Sequence, residues 1–333
     1  MLELIAIVGG PFSAARSIGS ALRRAALTVC FPAVCLLAGG AASAADWAER
    51  PYNPPVGSRW TIERDLSTEL SDNGAVTKDT FKITSELRIV GKEGTQFNIT
   101  YARRKFSYES GDAEEQKAML ASLPALQNIE YRVVTDAGGM PLRVENLAEA
   151  KAAMRAAFDA TAKSLSDNPQ VAESMRRGLA PMLDADEKSA AELYLDEVPT
   201  LAKAQNTGLK LGETRREAAI EPSPIGQIKL NRTLTLSEAD PASGKAVVVL
   251  TESWDPDSTR TLFDHLLERA GLGDDERKKK IATLEVSLDK RTTFDVADGM
   301  TRRAIVESTT LSNLWDTHRV VKSRKVVTIT EAR

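Results

Sequence analysis

Apolar and polar residues take turns along two separate stretches of this chain, and that two-residue rhythm narrows the fold more than any other feature. Trp60, Ile62 and Leu66 alternate with polar neighbours, as do Phe81, Ile83, Leu87 and Ile89, and then Phe97, Ile99 and Tyr101. Successive side chains of an extended strand leave opposite faces. The rhythm therefore predicts half-buried antiparallel strands, one face to the core and one to water. Turn residues separate them, at Asp72-Asn73-Gly74 and Gly91-Lys92-Glu93-Gly94. Residues 112–127 have helical composition. Ile129, Tyr131 and Val133 make a further strand, and Asp136-Ala137-Gly138-Gly139 turns it into one holding Leu142 and Val144. From Lys210 the rhythm returns at Ile228, Leu230, Leu234 and Leu236, then in the apolar run from Ala246 to Leu250, then at Leu284, Val286 and Leu288, and last from Val320 to Thr330. A helix is expected at 258–280.

The stretch between, 147–206, is rich in Ala, Leu, Met, Glu and Lys. Leu147, Ala150, Met154, Ala157, Phe158 and Leu165 keep helical spacing, with Asn146 as the expected N-cap. Asn168-Pro169 breaks the pattern, and Pro181 bends or ends the helix that follows. Asp184-Ala185-Asp186-Glu187 offers caps and negative charge at the start of a third helix, and Val198-Pro199 interrupts it.

The two β regions share a plan of strands, one helix and a closing hairpin. Gly57 and Asp136 lie 79 residues apart, and Gly212 and Asp298 lie 86 apart. The expectation is an α+β fold: two antiparallel curved β units, arising by internal duplication and joined by a helical segment. Its divisions are a signal at 1–44, a Pro-rich linker at 45–56, a first β unit at 57–146, the helical segment at 147–206 and a second β unit at 207–333.

Residues 1–44 read as a cleavable export signal. Arg16, Arg23 and Arg24 precede an apolar run from Ala25 to Leu37, and Ala42-Ser43-Ala44 fits the small-x-small rule, placing the cut between Ala44 and Ala45. Pro32 and the small-residue exit count against a spanning helix. The long, fairly apolar stretch before Arg16 places the true translation start downstream of Met1. Cleavage leaves 41 basic and 46 acidic residues, a net charge of −5, with both signs interspersed. That balance argues against a nucleic-acid partner. Both cysteines, Cys30 and Cys35, lie in the signal, so the mature chain has no disulfide, thiol nucleophile or cysteine-bound metal.

Catalytic motifs are absent. There is no G-x-S-x-G, phosphate loop or dinucleotide fingerprint, and no metal or cofactor site is implied. His265 and His318 stand alone, which points to surface or packing roles. Asp136 and Asp298 occupy matched places in the two units and could form a carboxylate pair, but each sits beside a turn glycine where aspartate is ordinary. Trp60, Trp254 and Trp315 fall in or beside strands. They are the candidate contacts for an apolar ligand, against the plainer alternative of core packing.

Three segments carry a resemblance: Val56-Gly57-Ser58-Arg59-Trp60, Asp136 to Asn146 leading into helices, and Val198-Pro199 followed by Leu211-Gly212-Glu213. In these the chain resembles a group of uncharacterised exported, periplasmic bacterial proteins. It departs from them at Arg215 and Arg216, where the group's second strand start carries tryptophan. The resemblance implies a β-rich periplasmic fold and no catalytic residues. A looser likeness of plan is to curved-sheet lipoprotein carriers, whose half-barrels hold acyl chains against covering helices. The expected role is a periplasmic, non-enzymatic binding or envelope-interaction protein with an apolar small molecule or lipid as ligand and no stable membrane span after cleavage. The alternatives are a carboxylate-dependent hydrolase and a structural scaffold of the cell envelope.

Overall fold

The computed structural model describes residues 51–332 apart from positions 114–115, 117–118, 121–122, 124–125, 165–182, 196, 203, 205–206, 224–225, 241, 270 and 315–316. The expected export signal, its expected cut between Ala44 and Ala45, and Trp315 lie outside the described residues.

Every predicted strand forms, and most run longer than the sequence rhythm suggests. In chain order they are β1 (Arg59–Asp72), β2 (Ala75–Glu93), β3 (Gln96–Ser110), β4 (Glu130–Thr135), β5 (Pro141–Val144), β6 (Thr214–Ser223), β7 (Gly226–Asp240), β8 (Lys245–Trp254), β9 (Glu285–Ala297), β10 (Met300–Leu314) and β11 (Thr317–Glu331). The described helices are α1 (Leu147–Ser164), α2 (Glu187–Tyr194), α3 (Val198–Ala202), α4 (Pro256–Arg269) and α5 (Asp274–Ala282). Among the described residues no helix is long and apolar enough to cross a membrane.

The strands build one antiparallel sheet of eleven, in the order β5-β4-β3-β2-β1-β11-β10-β9-β8-β7-β6. Two separate curved units do not form. The two β regions fuse because β1, the first strand, takes the last strand β11 as its second neighbour, in unbroken register from Trp60 opposite Glu331 to Asp72 opposite Arg319. That pairing supplies thirteen residues of ladder to an edge that would otherwise present unpaired backbone groups.

One face of the sheet is apolar. Trp60, Ile62, Leu87, Ile99, Tyr101, Tyr131, Phe294, Val248 and Val327 share it and are buried. The middle segment covers part of this face: Ala150 and Met154 of α1, Ala190, Ala191 and Tyr194 of α2, and Val198 of α3 belong to the same cluster. A second, smaller cluster of Ile228, Leu230 and Trp254 gathers Leu262 of α4 against β7 and β8. The opposite face is polar.

Local details show why elements stop where they do. Asp186 caps α2, its carboxylate accepting the Ser189 N–H at 2.7 Å. Pro199 does not break a helix; it lies in the first turn of α3, where proline's missing N–H costs little. The break falls earlier and contains Glu197. Asn146 holds the N-cap position of α1, its backbone carbonyl accepting the Ala150 N–H at 3.0 Å, while its side chain is a strap: it accepts the Arg132 N–H at 2.8 Å and donates to the Glu130 carbonyl at 2.8 Å, tying the start of α1 to β4. The expected helix at 258–280 is two helices, separated around Gly271 at φ +83°. Tyr52, inside the expected linker 45–56, is anchored: it is 4% exposed and meets Phe97 edge-on at 5.1 Å.

Candidate functional site

The covering helices meet the sheet at a buried ionic hub. Glu197, 1% exposed, enters from the break between α2 and α3. Its carboxylate lies 3.0 Å from Arg64 Nη1 and 3.6 Å from Arg103 Nη2, and it accepts the Tyr101 hydroxyl at 2.5 Å. Ser85 stands 3.1 Å from the same hydroxyl, and Arg103 also donates to the Tyr194 carbonyl at 2.8 Å. Strand alternation places these groups. Arg64 follows Trp60 and Ile62 on the inward side of β1, and Arg103 follows Ile99 and Tyr101 on β3. Burial raises the Tyr131 and Tyr194 hydroxyls above the usual tyrosine range; Arg103 opposes this at Tyr131, while Glu197 adds to it. Sequence reasoning missed this hub. The signal was present, since an arginine at an inward position of an alternating strand has to find a carboxylate.

Beyond the hub the apolar face changes character. Leu66, Leu70, Phe81 and Phe106 are half-buried and belong to neither packed cluster. The Phe81 and Phe106 rings stack at 6.1 Å, and the Arg64 guanidinium lies 5.7 Å from the Phe81 ring centre. A polar row then crosses the face in register. Arg232 and Lys290 flank Glu252 at 2.7 and 2.9 Å, and Ser308 meets Ser323 at 2.8 Å.

The polar face carries a concavity of about 640 Å³ spanning β1 to β7. Hydroxyls of Ser67, Thr233, Thr251, Ser253 and Thr309 line it, with Glu69, Asp289 and Glu307 among its acidic residues and Arg291, Lys322 and Arg324 among its basic ones. Its carboxylates are dispersed. Glu307 lies 3.6 Å from Arg324, and Glu69 is paired with Lys78, which lowers its pKa. A general acid needs the opposite shift.

The sequence-derived candidates fall apart in space. Trp60 is 3% exposed, donates to Ser58 Oγ at 3.2 Å and carries the Arg302 guanidinium 4.6 Å from its ring centre. Trp254, 8% exposed, belongs to the second cluster, so the two tryptophans share no surface. Asp136 spends its carboxylate on its own turn, accepting the N–H groups of Gly138 and Met140 at 2.9 and 2.8 Å. Asp298 faces Arg302 at 3.9 Å. Their strands β4 and β9 are separated in the sheet by β3, β2, β1, β11 and β10. His265 pairs with Glu268 at the surface, and His318 meets Asn313 at 2.6 Å. Among the described residues no group of three or more His, Cys, Asp or Glu is placed to hold a metal.

No family model and no curated protein matches the chain. Among solved structures it is similar to lipovitellin, described for its lipid–protein interactions, at TM-score 0.39 and 11% identity over 85% of this chain and 26% of that one. It is also similar to an outer membrane channel from Pseudomonas putida F1 (TM-score 0.17, 9% identity, 84% and 97% of the two chains). A third is the translocator domain of the autotransporter NalP from Neisseria meningitidis (TM-score 0.18, 7% identity, 83% and 90%). The chain spans about a quarter of lipovitellin's length. At these scores nothing about function passes across the likeness.

Proposed function

We propose that this chain is an exported, non-enzymatic binding protein of the bacterial cell envelope, holding an apolar or lipid-like molecule on the apolar face of its sheet. One observation carries the reading. Leu66, Leu70, Phe81 and Phe106 form a half-buried apolar shelf beside the ionic hub, outside both packed clusters. Apolar side chains on a partly covered sheet face gain free energy when a molecule takes them out of water, roughly 25 cal/mol per Å². The signal at residues 1–44 delivers the protein to that setting.

Native mass spectrometry of protein purified from its own periplasm, followed by titration of the stripped protein with a fluorescent fatty acid, tests the assignment. A bound acyl species, and uptake weakened by Phe81→Ala and Phe106→Ala, is the expected result. An empty protein that takes up no acyl chain refutes it.

The duplication belongs to the same reading. The two strand starts are built alike: the Gly57 N–H donates to the Ile89 carbonyl and the Gly212 N–H to the Leu236 carbonyl, both at 2.8 Å. Ile89 and Leu236 return the bond to the Ser58 and Glu213 carbonyls, at 3.0 and 3.3 Å. Both glycines have positive φ, +91° and +78°. Duplication of a half-sheet explains why the same turn recurs at each start.

A further inference from the structure

On the polar face of β1 to β4 two arginines stand where the sheet should avoid them. Arg59 of β1 and Arg88 of β2 are directly opposite, and the next position of that row on β3 is Thr100. Like charges directly opposite in an antiparallel pair are destabilising. Neither arginine has an ion-pair partner among the described residues. The nearby carboxylate of Glu86 is engaged by Arg104, which reaches it at 2.9 Å and also donates to Asn128 at 3.3 Å. Arg132, opposite Thr100 on β4, lies 3.4 Å from Glu149. Arg59, Arg88, Thr100 and Arg104 line a hollow of about 130 Å³, together with Glu86, Glu130 and Ala102. Three guanidinium groups thus meet two carboxylates, and Arg104 is already held in place.

We propose that this hollow binds a tetrahedral oxyanion of the phosphoryl class, bridging Arg59 and Arg88 with the Thr100 hydroxyl donating to it. Paired guanidinium forks match such oxygens in geometry and charge. The volume equals the share of about four waters, at roughly 30 Å³ each, enough for such a group. Bridging converts a repulsive pair into an attractive triple, which accounts for two arginines side by side. The proposal is independent of the apolar ligand on the other face.

Thermal unfolding of the mature chain in sodium phosphate and in sodium chloride of equal ionic strength tests it. The wild-type midpoint is expected to rise in phosphate beyond chloride. Arg88→Gln should start higher in chloride, because the repulsion is gone, and should lose the phosphate-specific rise; Arg59→Gln should do the same. Calorimetric titration with inorganic phosphate should show about tenfold weaker binding for each variant. Flotation with phosphatidylglycerol–phosphatidylcholine vesicles separates the sources. Vesicle binding that both variants lose marks a lipid headgroup, and phosphate binding without flotation marks the free anion. Equal effects of phosphate and chloride on the wild type, with vesicle binding absent or unchanged by the variants, overturn the site.

Discussion

Glu197→Ala removes a carboxylate that pairs with both Arg64 and Arg103 while leaving the backbone free to keep its shape. Arg64 is 6% exposed and Glu197 1%, so solvent does little to replace the lost charge. Removing one partner of a buried ion pair costs about 3–5 kcal/mol, because the remaining charge is left in a poor dielectric. Here the Tyr101 hydroxyl also loses the Glu197 carboxylate as an acceptor. For a chain of this size 1 kcal/mol moves the unfolding midpoint by roughly 2–4 °C, so a fall of roughly 6–20 °C follows. Calorimetry measures it, and near-UV circular dichroism should report a loosened Tyr131–Tyr194 contact, whose rings now sit 5.5 Å apart. Replacing the set with Arg64→Met, Arg103→Met and Glu197→Leu should recover most of the loss, since apolar groups of similar volume need no counter-charge. A midpoint change below about 2 °C for Glu197→Ala would show that the hub does not hold the helices to the sheet.

Other outcomes can be stated more briefly. Gly139→Ala should cost ~3 kcal/mol in urea unfolding, because the new Cβ meets the Tyr52 ring at 2.8 Å at φ +87°; Gly94→Ala, also at positive φ but in open space, should cost about 1 kcal/mol. Tyr52→Ala made together with Gly139→Ala should return part of the larger loss. Asn146→Ala severs both bonds from α1's start to β4 and should destabilise by ~2–3 kcal/mol in the same assay. Burial raises the Tyr52, Tyr131 and Tyr194 hydroxyls above their usual value near 10. The stabilisation from keeping these three neutral is complete below about pH 10, where the unfolded chain is also protonated, and is lost as pH climbs toward their raised folded values. Absorbance at 295 nm should show them ionising together with alkaline unfolding. Smooth titration of all tyrosines near pH 10 in a folded protein would contradict this.

Much of the sheet was legible from residues alone. Trp60-x-Ile62 and Phe97-x-Ile99-x-Tyr101 name their inward faces without help from tertiary structure, because the strand repeat is two and one side is apolar. Strand order was not legible. Nothing local in Val320 to Thr330 says that it pairs with β1 on one side as well as with β10 of its own half on the other; that second pairing joins edges far apart in sequence. The ionic hub was partly legible. Arg64 and Arg103 break the apolar alternation, but Glu197 sits in an irregular break with no period to place it. The tryptophans misled for a simple reason: large aromatics line pockets and fill cores alike, and burial, which separates the two, is absent from a sequence.

The seam between β1 and β11 sets a timetable. Trp60 cannot meet Glu331 until nearly the whole chain has been made, so the sheet stays in two unsealed halves throughout synthesis. Closure across so much sequence is slow, since chain entropy is lost before the contacts form. A seam that closes last keeps both half-sheets open late, and under the proposed export it would leave the chain loose enough to be threaded through a channel.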